Sequence, residues 1–519
     1  MTSESKRALL LAAAASPLVA ACGGGSSMGM SSPSPGGAAG PGGGSTAAGL
    51  PLLAEGQPLL TLPLLANDSS AAGAFEATLR AAPARLEYLG AQATDALAYN
   101  GASPGPTIVA TEGDRVRIRF ENRIAGQPST VHWHGLAVPA EQDGNPMDPV
   151  ASGADRLYEF TLPPGSAGSY WYHPHPHLYT AEQVARGLAG AFIVRPRVDP
   201  LPAGIEDHVL MFTDLRIDAT GRMAGWTADD MMNGRMGDHV LVNGRRNPLL
   251  VAAPGATLRL RLFNATNARY LRLAPDGVPM TLIGSDGGLL GAPLPGLAQV
   301  LLAPGERAEV VVQLPPAAGS EVALRMLPHD RGRMMGTMPA PTQATVLTLR
   351  TEGAPRAPVA LPATLRPLAP LPPPTAYKRL ELTERMGTIG GTMGGGMPGG
   401  GMATGGMMGW QFLIDGRLFD MNRVDRVSVL GEVEQWDFVN RTSMDHPMHI
   451  HGTRFQVVET ERDGLRTPAP VLCWKDTVDV PRGTTVRLRV RFELPGLRMY
   501  HCHILEHEAQ GMMGMLSVQ

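Results

Sequence analysis

Tyr500 to Met512 reads Y-H-C-H-I-L-E-H-E-A-Q-G-M, which crowds one thiol (Cys502), three imidazoles (His501, His503, His507) and a thioether (Met512) into thirteen positions. A thiolate, histidines and a weak, distant Met form the ligand set of a blue-copper electron-transfer site, although zinc draws on some of the same side chains. If His501 to His503 lie on a strand, Cys502 points to one face and its two neighbours to the other. The cysteine then serves one metal and the histidines a second, with a short stretch of backbone between them as the electron path.

Histidines elsewhere cluster in the same manner. His132-Trp133-His134-Gly135 and Trp171-Tyr172-His173-Pro174-His175 lie early in the chain, and His446-Pro447-Met448-His449-Ile450-His451-Gly452 lies late. Ten of the fourteen histidines fall in such pairs or triplets, all in the terminal thirds. His-x-His on a strand presents both rings on one face. Four such pairs converging would furnish eight imidazoles for a metal cluster, leaving His446 and His507 to join Cys502 and Met512. His177 is expected to hydrogen-bond locally, and His208, His239 and His329 to be ordinary polar residues.

Elements that could position these groups are legible as repeats. Thr107 to Phe120 contains Glu112-Gly113-Asp114 followed by Val116, Ile118 and Phe120 alternating with Arg115, Arg117 and Arg119, the period-two pattern of a half-buried strand. The phrase recurs from Pro254 to Asn264 and from Leu430 to Asn440. A second echo follows each copy at Leu162 to Gly165, Leu302 to Gly305 and Val480 to Gly483. Three related units of short strands and Gly/Pro turns are consistent with β-sandwiches. The chain length of 519 residues also favours several domains over one.

A formal charge of -3 gives no electrostatic reason to bind nucleic acid. Of three cysteines, Cys473 has no evident disulfide partner and is expected to be a small buried apolar side chain. Lys6-Arg7, the apolar run Ala8 to Ala15 and Val19-Ala20-Ala21-Cys22 read as an export signal over residues 1–22. Its end resembles a bacterial lipobox, in which Cys22 is lipidated and tethers the protein to a membrane. Its start resembles a weakened twin-arginine signal. The expected location is therefore the periplasm or outer cell envelope. Residues 23–74 are expected to form a disordered Gly/Ser/Pro/Ala tether. Domains are expected over 75–196, 203–350 and 377–519, with a Pro-rich linker at 351–376 and a Met/Gly-rich insert at 386–408.

Taken in order, H-W-H-G, W-Y-H-x-H, H-P-x-H-x-H-G and H-C-H-x3-H-x4-M resemble the motifs of the multicopper oxidases. Tyr99-Asn100-Gly101, Pro104 to Thr107 and Ser285-Asp286-Gly287-Gly288 extend the resemblance over nearly all of residues 75–519. It implies an all-β chain of three consecutive cupredoxin-like Greek-key β-sandwich domains, expected to act as a monomer and to carry four copper ions. By motif, His446, Cys502, His507 and Met512 would hold the type 1 copper, and His132 and His449 the type 2 copper. His134, His173, His175, His451, His501 and His503 would hold the type 3 pair. Asp143 and Glu508 match the family's proton-supplying acids, although D-G-N-P is also a natural turn and Glu508 could be a surface charge. The implied reaction oxidises a substrate one electron at a time and reduces dioxygen to water. An axial Met implies a lower type 1 potential than the Leu or Phe of high-potential laccases.

The 27 methionines suggest the donor. Met386, Met393, Met397, Met402, Met407 and Met408 lie in the insert, Met231, Met232 and Met236 form a second group, and Met334, Met335 and Met338 a third. Thioethers favour Cu(I), and Met-rich tracts resemble those of periplasmic cuprous oxidases. Met444 fits a substrate-copper position of that group, but Thr442 stands where it has an Asp. Asp415 and Asp420 are the alternative oxygen ligands. Two other readings remain: a laccase-like oxidase of phenols or aromatic amines, in which the tract is incidental, and a copper-binding or scaffold protein without catalysis.

Overall fold

The computed structural model describes residues 53–89, 92–336, 338, 342–389 and 407–519. The export signal, Cys22, Met393, Met397 and Met402 lie outside the described residues.

Each of the three repeated phrases forms the same element. The strands Arg115–Asn122, Thr257–Asn264 and Val433–Asn440 each pair in parallel with the opening strand of their unit: Ala74–Leu89, Glu206–Leu215 and Ala376–Ile389. On the opposite side each pairs antiparallel, with Asp155–Thr161, Arg307–Gln313 and Thr484–Arg491 respectively. In the first copy the alternation does what the sequence predicts. Val116, Ile118 and Phe120 are buried, while Arg115 and Arg117 turn outward to Glu159 and Arg119 to Asp155. The middle copy differs, being buried on both faces. Its polar face lies under the first domain: Arg261 donates to Ser169 Oγ, and Ser169 Oγ donates to Glu309.

Every unit is two facing sheets, with four and four strands in the first and six and five in both the second and the third. This gives three cupredoxin-like β-sandwiches, each closed around its own apolar core. An asparagine ends each repeated strand, and its side-chain amide donates to two loop carbonyls. Asn122 reaches Gln127 and Val150, Asn264 reaches Arg269 and Leu302, and Asn440 reaches Met444 and Val480. In the third domain this pins the loop that leads into His446.

Order begins earlier than the sequence suggests. The tether expected over residues 23–74 is packed where it is described: Leu53, Leu62 and Leu65 are buried, Leu59 and Leu249 join by a backbone bond, and Leu65 binds Thr107. Leucines spaced through this stretch find apolar seams on the first and second domains, which composition averaged over the tract concealed. The ends of the insert form a hairpin, with Met386 opposite Trp410 and Ile389 opposite Met407. No helix among the described residues is long and apolar enough to cross a membrane.

Candidate metal centres

Four strands carry five of the paired histidines, and His175, His451 and His503 lie just beyond three strand ends. His132–His134 pairs antiparallel with Gly168–His173, placing His132 opposite His173. His446–Ile450 pairs with Gly496–Cys502, placing His449 opposite His501. The two sheets, one from each terminal domain, bring all eight paired imidazoles together, every ring fully buried. His132 stacks on His451 and His134 on His449, both at 3.8 Å between centroids.

Most of these rings spend one nitrogen on the protein. His132 Nδ1 meets the Asp143 carbonyl at 3.0 Å, His449 Nδ1 that of Asp476 at 2.8 Å, and His173 Nδ1 that of Pro174 at 2.9 Å. His501 Nδ1 meets the Cys502 carbonyl at 3.0 Å, and His451 Nδ1 the Asp143 carboxylate at 3.2 Å. The other nitrogens turn inward. His132 Nε2 faces His449 Nε2 at 3.3 Å, and His175 and His451 each face His501 Nε2 at 3.1 Å. Where both Nδ1 atoms carry the proton, two lone pairs meet and cannot hydrogen-bond; a cation between them satisfies both. His134 inverts the pattern, with Nε2 on Asp476 and Thr477 and Nδ1 buried without a partner. His173 Nε2 and both nitrogens of His503 are likewise orphaned. Burial, with neighbouring imidazoles, holds His134, His173, His175, His449, His451 and His503 well below the usual histidine range. Burial holds His501 at about 3. Neutral rings with unshared inward lone pairs are what a metal cluster requires.

The single-thiol site lies on the other face of the same strand. His446 Nδ1 is 3.3 Å and His507 Nδ1 4.0 Å from Cys502 Sγ, and the two nitrogens are 3.4 Å apart. Ligand atoms spread around one ion with bonds of about 2.0–2.3 Å lie about 3.5–3.7 Å from one another, so this triangle fits a trigonal Cys-His-His set. Met512 is fully buried in the same core, and its carbonyl accepts from Cys502 N at 3.0 Å. The outer nitrogens are also fixed, His446 Nε2 to Thr442 Oγ1 at 2.8 Å and His507 Nε2 to the Met232 carbonyl at 3.1 Å. Phe412 stacks on His507 at 3.8 Å.

Both candidate acids are buried at the cluster. Asp143 Oδ1 lies 3.2 Å from His132 Nδ1, and Oδ2 contacts His451. Glu508, on the short helix Leu505–Ala509, contacts Thr180 at 3.3 Å and His175 at 3.7 Å. Burial pushes its carboxyl up to about 8.

Substrate-copper candidates are less convergent. Met444 is fully buried in the third core and Met386 is exposed, while for Met407 and Met408 only the strand is described. Asp415 is tied to Arg426 and Asp420 caps the following turn. The Nδ1 of His177 is buried with no hydrogen-bond partner among the described residues, and its ring lies against Phe419.

Sequence reasoning missed Asp476, Arg307 and Thr477, which orient His134 and His449. No histidine spacing marks them, and Arg307 comes from the middle domain, which has no His pair. Gly135 also has a reason only in three dimensions. At φ +88° a Cβ there would sit 2.2 Å from Asp476 Oδ2.

The comparisons agree with this architecture. Multicopper oxidase domain profiles match residues 81–199, 206–336 and 398–519. A multicopper oxidase of Staphylococcus haemolyticus is 31% identical over 449 residues, covering 85% of this chain and 88% of that protein. The cell division protein FtsP of Dickeya dadantii is 31% identical, covering 91% and 96%. Among solved structures, a Campylobacter jejuni multicopper oxidase described as a metallo-oxidase superposes with a TM-score of 0.81 at 36% identity, covering 90% and 96%. The chain belongs to the multicopper oxidase family. It is an oxidoreductase whose buried His/Cys clusters can coordinate copper in that family's architecture, coupling substrate oxidation to reduction of dioxygen.

Proposed function

We propose an exported oxidase that takes electrons singly at a type 1 copper held by His446, Cys502, His507 and Met512. A cluster of three further coppers would be held by His132 and His449, for the type 2 ion, and by His134, His173, His175, His451, His501 and His503, for the type 3 pair. The observation that carries this is the set of inward lone pairs and orphaned nitrogens in a fully buried ring of imidazoles, one strand position from the only buried thiol among the described residues. Bound copper supplies the one-electron storage and Lewis acidity that dioxygen reduction to water needs. The chain's own contribution is to orient the rings, exclude water and hold protons at Glu508 and Asp143, within reach of His175, His132 and His451.

For the donor we propose Cu(I), oxidised to Cu(II) in copper tolerance. Support comes from the soft side chains of Met236 and Met334, which pack against the core that holds Cys502 and Met512. The second reading, laccase-like turnover of phenols, rests on His507 lying under a single ring, Phe412, and on the burial of Met444. Deleting residues 386–408 separates the two. Loss of cuprous oxidation with phenol turnover kept or raised supports Cu(I). Unchanged cuprous oxidation supports the phenol oxidase. Four coppers per chain with oxygen uptake exclude a scaffold without catalysis. Cleavage and lipidation at Cys22 would be read from the mature N-terminus and would place the enzyme on the cell envelope.

A further inference from the structure

Next to the segments that carry the single-thiol site lies a buried guanidinium with no carboxylate oxygen in ion-pair range among the described residues. Arg331, which follows the second-domain strand Glu321–Leu327, is 3% exposed. Its backbone is stitched to the third domain: its carbonyl accepts from Asp445 N at 2.7 Å, and Gly332 forms an antiparallel bridge with Met444. Asp445 precedes His446 directly. The Arg331 Nη2 donates to the carbonyl of Asn233, the residue after Met232, whose own carbonyl meets His507 Nε2 at 3.1 Å. The guanidinium thus sits between the segments that support both histidines of the site. Its Nε and Nη1 are buried with no hydrogen-bond partner, which is costly for a charged group and is not relieved by a neighbouring carboxylate. Asp445 instead accepts from Arg482 N at 2.8 Å and lies 3.7 Å from His329. Asp479 accepts from Tyr270 at 2.8 Å and Glu506 from Asn267 at 2.8 Å.

We propose that Arg331 is a tuning residue that raises the reduction potential of the type 1 copper. The oxidised ion carries one more positive charge than the reduced one, so a buried cation nearby disfavours it. This opposes the lowering effect of an axial Met512 and keeps the site able to draw electrons from a weak donor.

The inference rests on reading His446, Cys502 and His507 as the type 1 site, and redox titration of the copper-loaded protein, followed by its blue absorption, tests the two separately. A wild-type protein with full copper and no blue band would overturn the site reading itself. Given the band, Arg331→Gln is expected to shift the equilibrium with a fixed one-electron mediator at least tenfold toward oxidised copper, about 59 mV. Arg331→Lys, which keeps the charge, is expected to retain most of the wild-type potential. An unchanged potential in Arg331→Gln, or an equal fall in Arg331→Lys, would overturn the proposal. Should Arg331→Gln fail to hold copper, Arg331→Met carries the same expectation. Loss of the blue site in both neutral variants would assign Arg331 to folding and also overturn it.

Discussion

His134 Nε2 of the first domain lies 3.1 Å from Asp476 Oδ1 of the third, and Arg307 of the second grips the same carboxylate at 2.7 and 2.6 Å. All three domains meet at one side chain. Among the described residues the middle domain places no imidazole in the cluster, yet its guanidinium fixes the carboxylate that meets His134 Nε2 and leaves Nδ1 pointed inward. Asp476→Ala is expected to strip Arg307 of its closer carboxylate, leaving Asp286 at 3.8 Å, and to cost up to about 3–5 kcal/mol. It should also weaken copper binding about 10–100-fold through loss of the ring's orientation. Thermal unfolding and copper content per chain, measured together, check both effects.

Gly135 extends the same relationship. Gly135→Ala would force a Cβ against Asp476 and Arg307 at a φ that side chains rarely adopt. It is expected to lower both stability and copper content, whereas Gly165→Ala, with open space around the Cβ, should lower stability only modestly and leave copper content unchanged. Differential scanning calorimetry and metal analysis distinguish them.

Glu309 makes a testable seam between the first two domains. Although burial works to raise its carboxyl, Arg259 and Arg261 hold it at about 2, against an ordinary value of 4.5. Its folded value is depressed, so its stabilisation is fully present above about pH 4.5 and is lost as pH falls through about 2. The size is on the order of 3 kcal/mol. Glu309→Gln is expected to lower stability at neutral pH by a similar amount and to flatten the acid limb of a stability-versus-pH curve between those values.

Met512→Leu tests the axial position. Removing a weak thioether donor from a fully buried site is expected to raise the type 1 potential while leaving the blue band in place. Spectroelectrochemical titration reads the shift, and an unchanged potential would move the axial role to another residue.

Much of the site was legible because strand geometry turns spacing into facing. His-x-His could be read as two rings on one face, and Cys502 as pointing opposite to His501 and His503, before any coordinates. The three repeats were equally legible, since the alternation of Val116, Ile118 and Phe120 with arginines reports one buried face. The middle copy hid its second partner surface, because Arg259 and Arg261 look solvent-facing in one dimension and are covered by the first domain in three. Asp476, Arg307 and Arg331 were illegible for a related reason. Each sits at a domain boundary, far in sequence from the histidines it lies near, with no periodicity to mark it. The packed stretch from Leu53 to Leu65 was masked by the Gly/Ser/Pro tract before it.

The central claim is that one sulfur links a single-copper site to a three-copper cluster formed where the terminal domains meet. Copper content, visible spectrum and oxygen uptake of Cys502→Ser test it most directly. The expected result is loss of the blue absorption and of turnover, with the remaining three coppers retained. A variant that stays blue and consumes oxygen at the wild-type rate would contradict it.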